Sequence, residues 1–210
     1  IMSFITFLQI FCVCLLGAMS PGPSMVVVIN NGIFKSRAHG ILTSIGHGIG
    51  IGIYSIFALV GIGLIIKTNA ITFNIIKSLS IIFLIYLGIK SIFNKKKLSF
   101  DKNNLEGRLT SFFDGFGISI LNPKILIWFV AIYSQFMTKD NDIIFNAILV
   151  FTASITDILW YVLLTFLITS VKFRNLIKNK NYILEKIIGI FFIIIGIFLL
   201  IQIYLEIFNR

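Results

Sequence analysis

The sequence predicts an all-α integral membrane protein, six transmembrane helices arranged as two inverted three-helix repeats. Apolar residues make up 58% of the 210 residues, about 122 in number, and six spans of ~20 residues each would take up ~120. Mean hydropathy is +1.01 and charged residues contribute only 12%, where a soluble domain carries ~25%. The longest polar stretch, Asn94 to Arg108, divides an even number of spans into two sets of three. Three is odd, so two related halves joined there lie in the membrane in opposite orientation. The expected organisation is a first repeat over 1–93, a basic connection over 94–111 and a second repeat over 112–210. No segment between spans exceeds a short loop, which leaves no room for a soluble catalytic domain.

The spans follow in order as Phe4 to Asn31, Ile41 to Ile66, Ile71 to Phe93, Phe112 to Met137, Phe145 to Val171 and Ile187 to Phe208. Each is long enough to cross with some tilt. The first lacks a basic flank and outlasts a signal-peptide core, which predicts a retained helix rather than a cleaved leader. Cys12 and Cys14, two apart within it, point to different faces of a helix, so neither a disulfide nor a metal pair is expected of them. The connections are Lys35 to His39, Lys67 to Ala70, Asn94 to Arg108, Thr138 to Asp142 and Lys172 to Lys186, all read as ordinary loops.

The net charge is +10 and the pI about 9.8. On a soluble chain this would suggest nucleic acid; here it reports orientation, and no nucleic-acid partner is implied. Lys35, Arg37, Lys90, Lys95, Lys96, Lys97, Lys102, Arg108, Lys172, Arg174, Lys178, Lys180 and Lys186 fall on one side, thirteen against the four of Lys67, Lys77, Lys139 and Arg210. The basic side is expected in the cytoplasm, with both termini outside.

Three places resist explanation as lipid-facing filler. Pro21-Gly22-Pro23, followed by Ser24, removes two backbone donors late in the first span, so the helix must break. Freed carbonyls are tolerated at membrane depth only against protein or a cavity. A helix restarting at Pro23-Ser24 would aim its positive end into that cavity, where an anionic group binds. Asn122-Pro123-Lys124 breaks the fourth span and sets a lysine at its centre, which costs ~2.5–3.5 kcal/mol on insertion scales. Asp157, midway along span five and near Trp160, either takes up a proton or finds a cation, for which Lys124 is the obvious candidate. Gly46 and Gly50 have the small-x-x-x-small spacing of closely packed helices. His47 between them is a packed hydrogen-bonding residue or a proton relay with Asp157. The 22 phenylalanines and the abundant isoleucines are read as lipid-facing filler, and Trp128, Trp160 and the tyrosines mostly as packing or interfacial anchors. No phosphate-cradling loop, metal framework or nucleophile elbow is present, so neither an enzyme nor a cofactor is expected.

Along nearly its whole length the chain resembles the LysE/RhtB family of bacterial amino-acid exporters. The residues that carry the likeness are Met19-Ser20-Pro21-Gly22-Pro23-Ser24, Gly46 and Gly50, Tyr86-Leu87-Gly88, Phe113-Asp114-Gly115-Phe116 leading to Asn122-Pro123-Lys124, and Asp157 with Trp160-Tyr161. The first cytoplasmic turn departs from the family pattern at Ser36 and His39. The resemblance implies secondary active efflux of amino acids or close derivatives across the bacterial cytoplasmic (inner) membrane, with protons as the exchanged ion. The partners it implies are the amino-acid substrate, protons and the lipid bilayer; a homodimer is one assembly left open. Two other readings stand beside it, a cadmium- or manganese-type metal exporter of the same superfamily and a non-transporting accessory subunit. A metal exporter should bring several acids, thiols or imidazoles to membrane depth. This chain offers Asp157, His47 and the cysteine pair, so no metal site is expected.

Overall fold

The computed structural model describes residues 2–93, 107–138, 141–168 and 171–208. Within them the chain folds into α1 (Phe4–Met19), α2 (Pro23–Asn30), a π-helical turn (Asn31–Lys35), α3 (Arg37–Thr68), α4 (Ala70–Phe93), α5 (Arg108–Leu121), α6 (Pro123–Phe136), α7 (Ile143–Ile168) and α8 (Val171–Phe208). No strand occurs among the described residues. Residues 94–106, most of the basic connection expected between the halves, lie outside them, as do Lys139 and Arg210.

Local sequence accounts for where the helices start and stop. Ser3 opens α1 by accepting from the Thr6 amide, and Ser36 opens α3 by accepting from the His39 amide. Prolines open α2 and α6, where a missing N–H is one of the unbonded donors of a first turn in any case. The same prolines end the helices before them, so α1 and α2 meet at 67°, and α5 and α6 at 60°. Three single helices, in α3, α4 and α7, are long and apolar enough to cross a membrane, and each bent pair can serve as one more span. That makes up to five among the described residues, where the sequence predicts six. The sixth, Ile187 to Phe208, falls in α8, whose apolar stretch is Lys186–Ile201.

Two expected loops are helical instead. Lys35 to His39 contracts to the single extended residue Ser36 between the π-helical turn and α3. Lys172 to Lys186 forms the first turns of α8, a helix of 38 residues and so about 57 Å, well beyond a ~30 Å hydrocarbon layer. Lysine and arginine are good helix formers, so a charged segment leaving the membrane need not unwind.

α3 is the central element. It packs along α5 on one side and α7 on the other, α1 also lies on α7, and α4 pairs with α8 and touches α6. Small residues set the closest crossings. A side chain at Gly46 would collide with the Phe112 carbonyl, one at Gly50 with Ser119, and one at Gly115 with the Thr43 carbonyl, so α3 and α5 touch backbone to backbone. The α4–α8 crossing is reciprocal. A Cβ on Gly88 would lie 2.7 Å from the Gly189 carbonyl oxygen, and one on Gly189 would lie 2.6 Å from that of Gly88; the next neighbours are Ile193 and Ile92, each four residues on.

Two apolar clusters flank the helix breaks. The larger joins α1, α3, α6, α7 and α8 through residues such as Ile10, Ile51, Trp128, Phe129, Ile132, Leu149 and Phe192. The smaller holds α2 to α7 through Met25, Val28, Ile29, Tyr161, Leu164 and Ile168. Many of the remaining large apolar side chains, including Phe57, Ile71, Phe93, Phe151 and Phe198, are exposed, as expected of residues facing lipid.

Candidate functional site

Between the two clusters lies a cavity of about 60 Å³, counted as room for the centres of water-sized spheres. One water needs ~10–15 Å³ on that measure, so the space suits several waters or one small solute. The helices line it by stripes at helical spacing: Cys14, Gly17 and Ala18 from α1, His47 and Ile51 from α3, Lys124, Ile125, Trp128 and Phe129 from α6, and Ala153, Asp157 and Tyr161 from α7. The breaks contribute Ser20, Gly22, Pro23, Ser24 and Asn122, and α8 contributes Phe192.

The two breaks meet there. Lys124 Nζ donates to Ser20 Oγ at 2.7 Å, and Asn122 Nδ2 donates to Ser24 Oγ at 3.4 Å. Asn122 also caps α6, its Oδ1 accepting from the Lys124 amide at 3.1 Å. Gly22 holds the corresponding place before α2 in an extended conformation and offers no side-chain cap. The Ser24 and Met25 amides of the first α2 turn therefore have no side-chain cap, while Val26 N–H already bonds the Gly22 carbonyl, and with Gly22, Pro23 and Ser24 in the lining the helix dipole adds partial positive charge to that of Lys124.

Across the cavity, His47 Nδ1 lies 2.7 Å from Asp157 Oδ2, with side-chain exposures of 2% and 6%. Tyr161 packs edge-on against the imidazole with ring centroids 5.0 Å apart. With Asp157 ionised, Nδ1 carries the proton and donates it, which leaves Nε2 as the acceptor. Nε2 is buried without a hydrogen-bond partner. Asp157 thus takes His47 as its hydrogen-bond partner, where the sequence points first to Lys124.

Most residues singled out from sequence come together around this space: Gly22, Pro23, Ser24, Asn122, Lys124, His47 and Asp157 line it, and Pro21 and Pro123 set the breaks. Gly46 and Gly50 face α5 instead. Trp160 stands outside the lining, beside the smaller apolar cluster, and the next residue, Tyr161, takes the cavity position. Trp128, expected in packing or at an interface, and Phe129 and Phe192, expected to face lipid, instead form a cavity wall. The available signal was spacing, since Trp128 stands one helical turn beyond Lys124 on the same face. Sequence reasoning also missed a second polar cluster: Asp114 Oδ2 accepts from Asn31 Nδ2 at 3.0 Å and pairs with Lys35 Nζ at 3.4 Å, while Asn31 also donates to Thr43 at 2.8 Å. The Lys35 side chain is only 2% exposed, so it lies inside the fold and not in a solvated turn.

The family model described as LysE type translocator matches residues 15–203. The chain belongs to this translocator family. Both proline breaks, every cavity-lining residue but Cys14, and most of α8 fall within the matched stretch. An uncharacterized membrane protein, YrhP of Bacillus subtilis (strain 168), is 30% identical over 192 residues, covering 84% of this chain and 90% of its own length. A leucine efflux protein of Enterobacter sp. (strain 638) is 25% identical over 82% of this chain and 84% of its own. A leucine efflux protein of Salmonella choleraesuis (strain SC-B67) is 29% identical over 56% of each. No solved structure matches. As a family of translocators, the group moves solutes across membranes, and this chain is a membrane transporter of that kind.

Proposed function

We propose that this transporter exports amino acids, or close derivatives of them, across the bacterial cytoplasmic membrane as a secondary exchanger with protons. The observation that carries the reading is one cavity with a cationic pole and an anionic pole. Lys124 and the α2 N-terminus suit a carboxylate, and Asp157 suits an ammonium, so the two poles match the two charges of a zwitterion. His47 Nε2 faces no protein partner and is free to accept a proton. A proton taken up by the His47–Asp157 pair lowers its negative charge, weakens its hold on the ammonium and releases cargo outward. The leucine efflux relatives support the amino-acid class.

Alternating access then comes from two inverted three-helix repeats, 1–93 and 112–210, joined by the basic connection 94–111. The packing supports this: α3 lies on α5 as α1 lies on α7, while α3 with α7 and α4 with α8 pair corresponding helices, and the Gly88–Gly189 crossing is reciprocal. The 13 to 4 split of basic residues supports a cytoplasmic connection and outward termini. The test is export from bacteria loaded with dipeptides, comparing cells that express the protein with vector controls. Lower internal and higher external free amino acid, abolished by a protonophore, is the expected result. Equal levels in both strains overturn the reading.

A further inference from the structure

The cavity treats its two ends differently, and the apolar end has a definite terminus. Trp128 sits four residues beyond Lys124 on the same face of α6, about 6 Å along the helix, and both reach the one cavity. The indole is held from both sides. Phe192 of α8 lies against it with ring centroids 4.9 Å apart. On the α1 side it rests on Gly17, where a Cβ would stand 2.7 Å from Nε1 and 2.9 Å from Cε2. A glycine is required there because a Cβ at these distances would force the ring to shift.

The charge inventory narrows the cargo further. The cavity is lined by one ammonium, Lys124, one carboxylate, Asp157, and one imidazole, His47. A bound zwitterion engages both charged poles, and among the described residues the lining supplies no second carboxylate for a basic side chain and no second ammonium for an acidic one. Around the rest of the space stand Ile51, Phe129, Ala153 and Phe192, against which a charged side chain would be desolvated without compensation.

We infer that Trp128, seated on Gly17, is the specificity-determining residue of this site, limiting its cargo to amino acids with small, uncharged, apolar side chains. This rests on the amino-acid export reading. Gly17→Ala adds a methyl to the cavity lining and displaces the indole, which shortens the space; Trp128→Phe removes the outer ring of the indole and lengthens it; the double variant has a smaller ring to displace, because phenylalanine lacks a counterpart of Cζ2, one of the three atoms crowded against Gly17.

The experiment measures export of alanine, leucine and phenylalanine from dipeptide-loaded cells expressing wild type, Gly17→Ala, Trp128→Phe or both, at matched membrane levels. Gly17→Ala is expected to lower the leucine-to-alanine ratio about tenfold, the low end of what one misplaced methylene is worth in a hydrophobic pocket. Trp128→Phe is expected to raise the phenylalanine-to-leucine ratio by a similar factor, and the double variant to restore leucine. Should Gly17→Ala fail to insert, the Trp128→Phe ratio decides alone. Ratios equal to wild type in the inserted variants, or an even fall for all three amino acids that the double variant does not relieve, overturn the inference while leaving export intact. Wild type that exports none of them overturns export of this cargo class and the inference together.

Discussion

The two helix breaks are built from the same device and furnished differently. Both set a proline at the first position of a new helix, and both bend the chain by 60° or more. The second is closed by its own side chain, since Asn122 caps the Lys124 amide, and a charged group stands directly behind the proline. The first is left open, with extended Gly22 before the helix and serines on either side. A capped break holds a side chain in place; an uncapped one keeps its amides for something else. The pairing of the two, through Lys124 to Ser20 and Asn122 to Ser24, joins a fixed charge to an open backbone.

The largest effect should come from removing the fixed charges. Lys124→Met, or Asp157→Asn, is expected to lower amino-acid export at least about a hundredfold with normal membrane insertion, since each leaves one charge of the bound zwitterion buried without its partner, a loss worth ~3–5 kcal/mol. Export rates normalised to membrane level check this, and full activity in both variants ends the charge mechanism. A smaller effect should follow from furnishing the first break like the second. Gly22→Asn fits the space, as the nearest atom to a Cβ there is the Ser20 carbonyl oxygen at 3.9 Å. Its side chain would satisfy the α2 amides, so the half-saturating internal amino-acid concentration is expected to rise several-fold while thermal stability holds or rises by up to about 1 kcal/mol. A pure loss of stability would mean that the open amides serve only the fold.

Asn122→Ala opens the second break. The expected outcome is a loss of about 1 kcal/mol, the usual worth of an N-cap, seen as a lower melting temperature in detergent together with a few-fold fall in export as Lys124 loses its mooring. The smallest change belongs to Ser24→Ala, whose hydroxyl accepts one long bond of 3.4 Å from Asn122; export within about two- to threefold of wild type is expected, since the low end of what one hydrogen bond contributes is ~0.5 kcal/mol. A larger drop would show that Ser24 itself holds the cargo.

The contrast between residues found and missed has a physical basis. Pro21, Pro23 and Pro123 were legible because a proline acts on its own backbone, whatever surrounds it. Lys124 and Asp157 were legible because a charge at membrane depth is expensive in any fold. His47 remained ambiguous, since an imidazole is acceptable both as packing and as a relay, and the choice rests on the carboxylate 110 residues away in sequence. Trp128 and Phe192 were hidden among apolar residues that look alike in a chain with 22 phenylalanines. Lys35 and Asp114 were hidden because they stand near span ends, where solvation normally disposes of a charge, yet the π-helical turn and α5 bring them together inside the fold.

By itself the sequence determined a membrane-embedded helical chain, the two places where its helices must break, and which charges lack a cheap solution in lipid. These are properties of single residues and of short-range pattern, fixed by backbone chemistry and the transfer energies of side chains. The tertiary structure decided which partners those charges take, which aromatic residues face a cavity instead of lipid, and how the open amides of α2 come to lie beside Lys124. Such choices depend on contacts between residues a hundred positions apart, and on glycines that let helices touch at their backbones. A hydropathy pattern marks a face as apolar and does not say what it packs against.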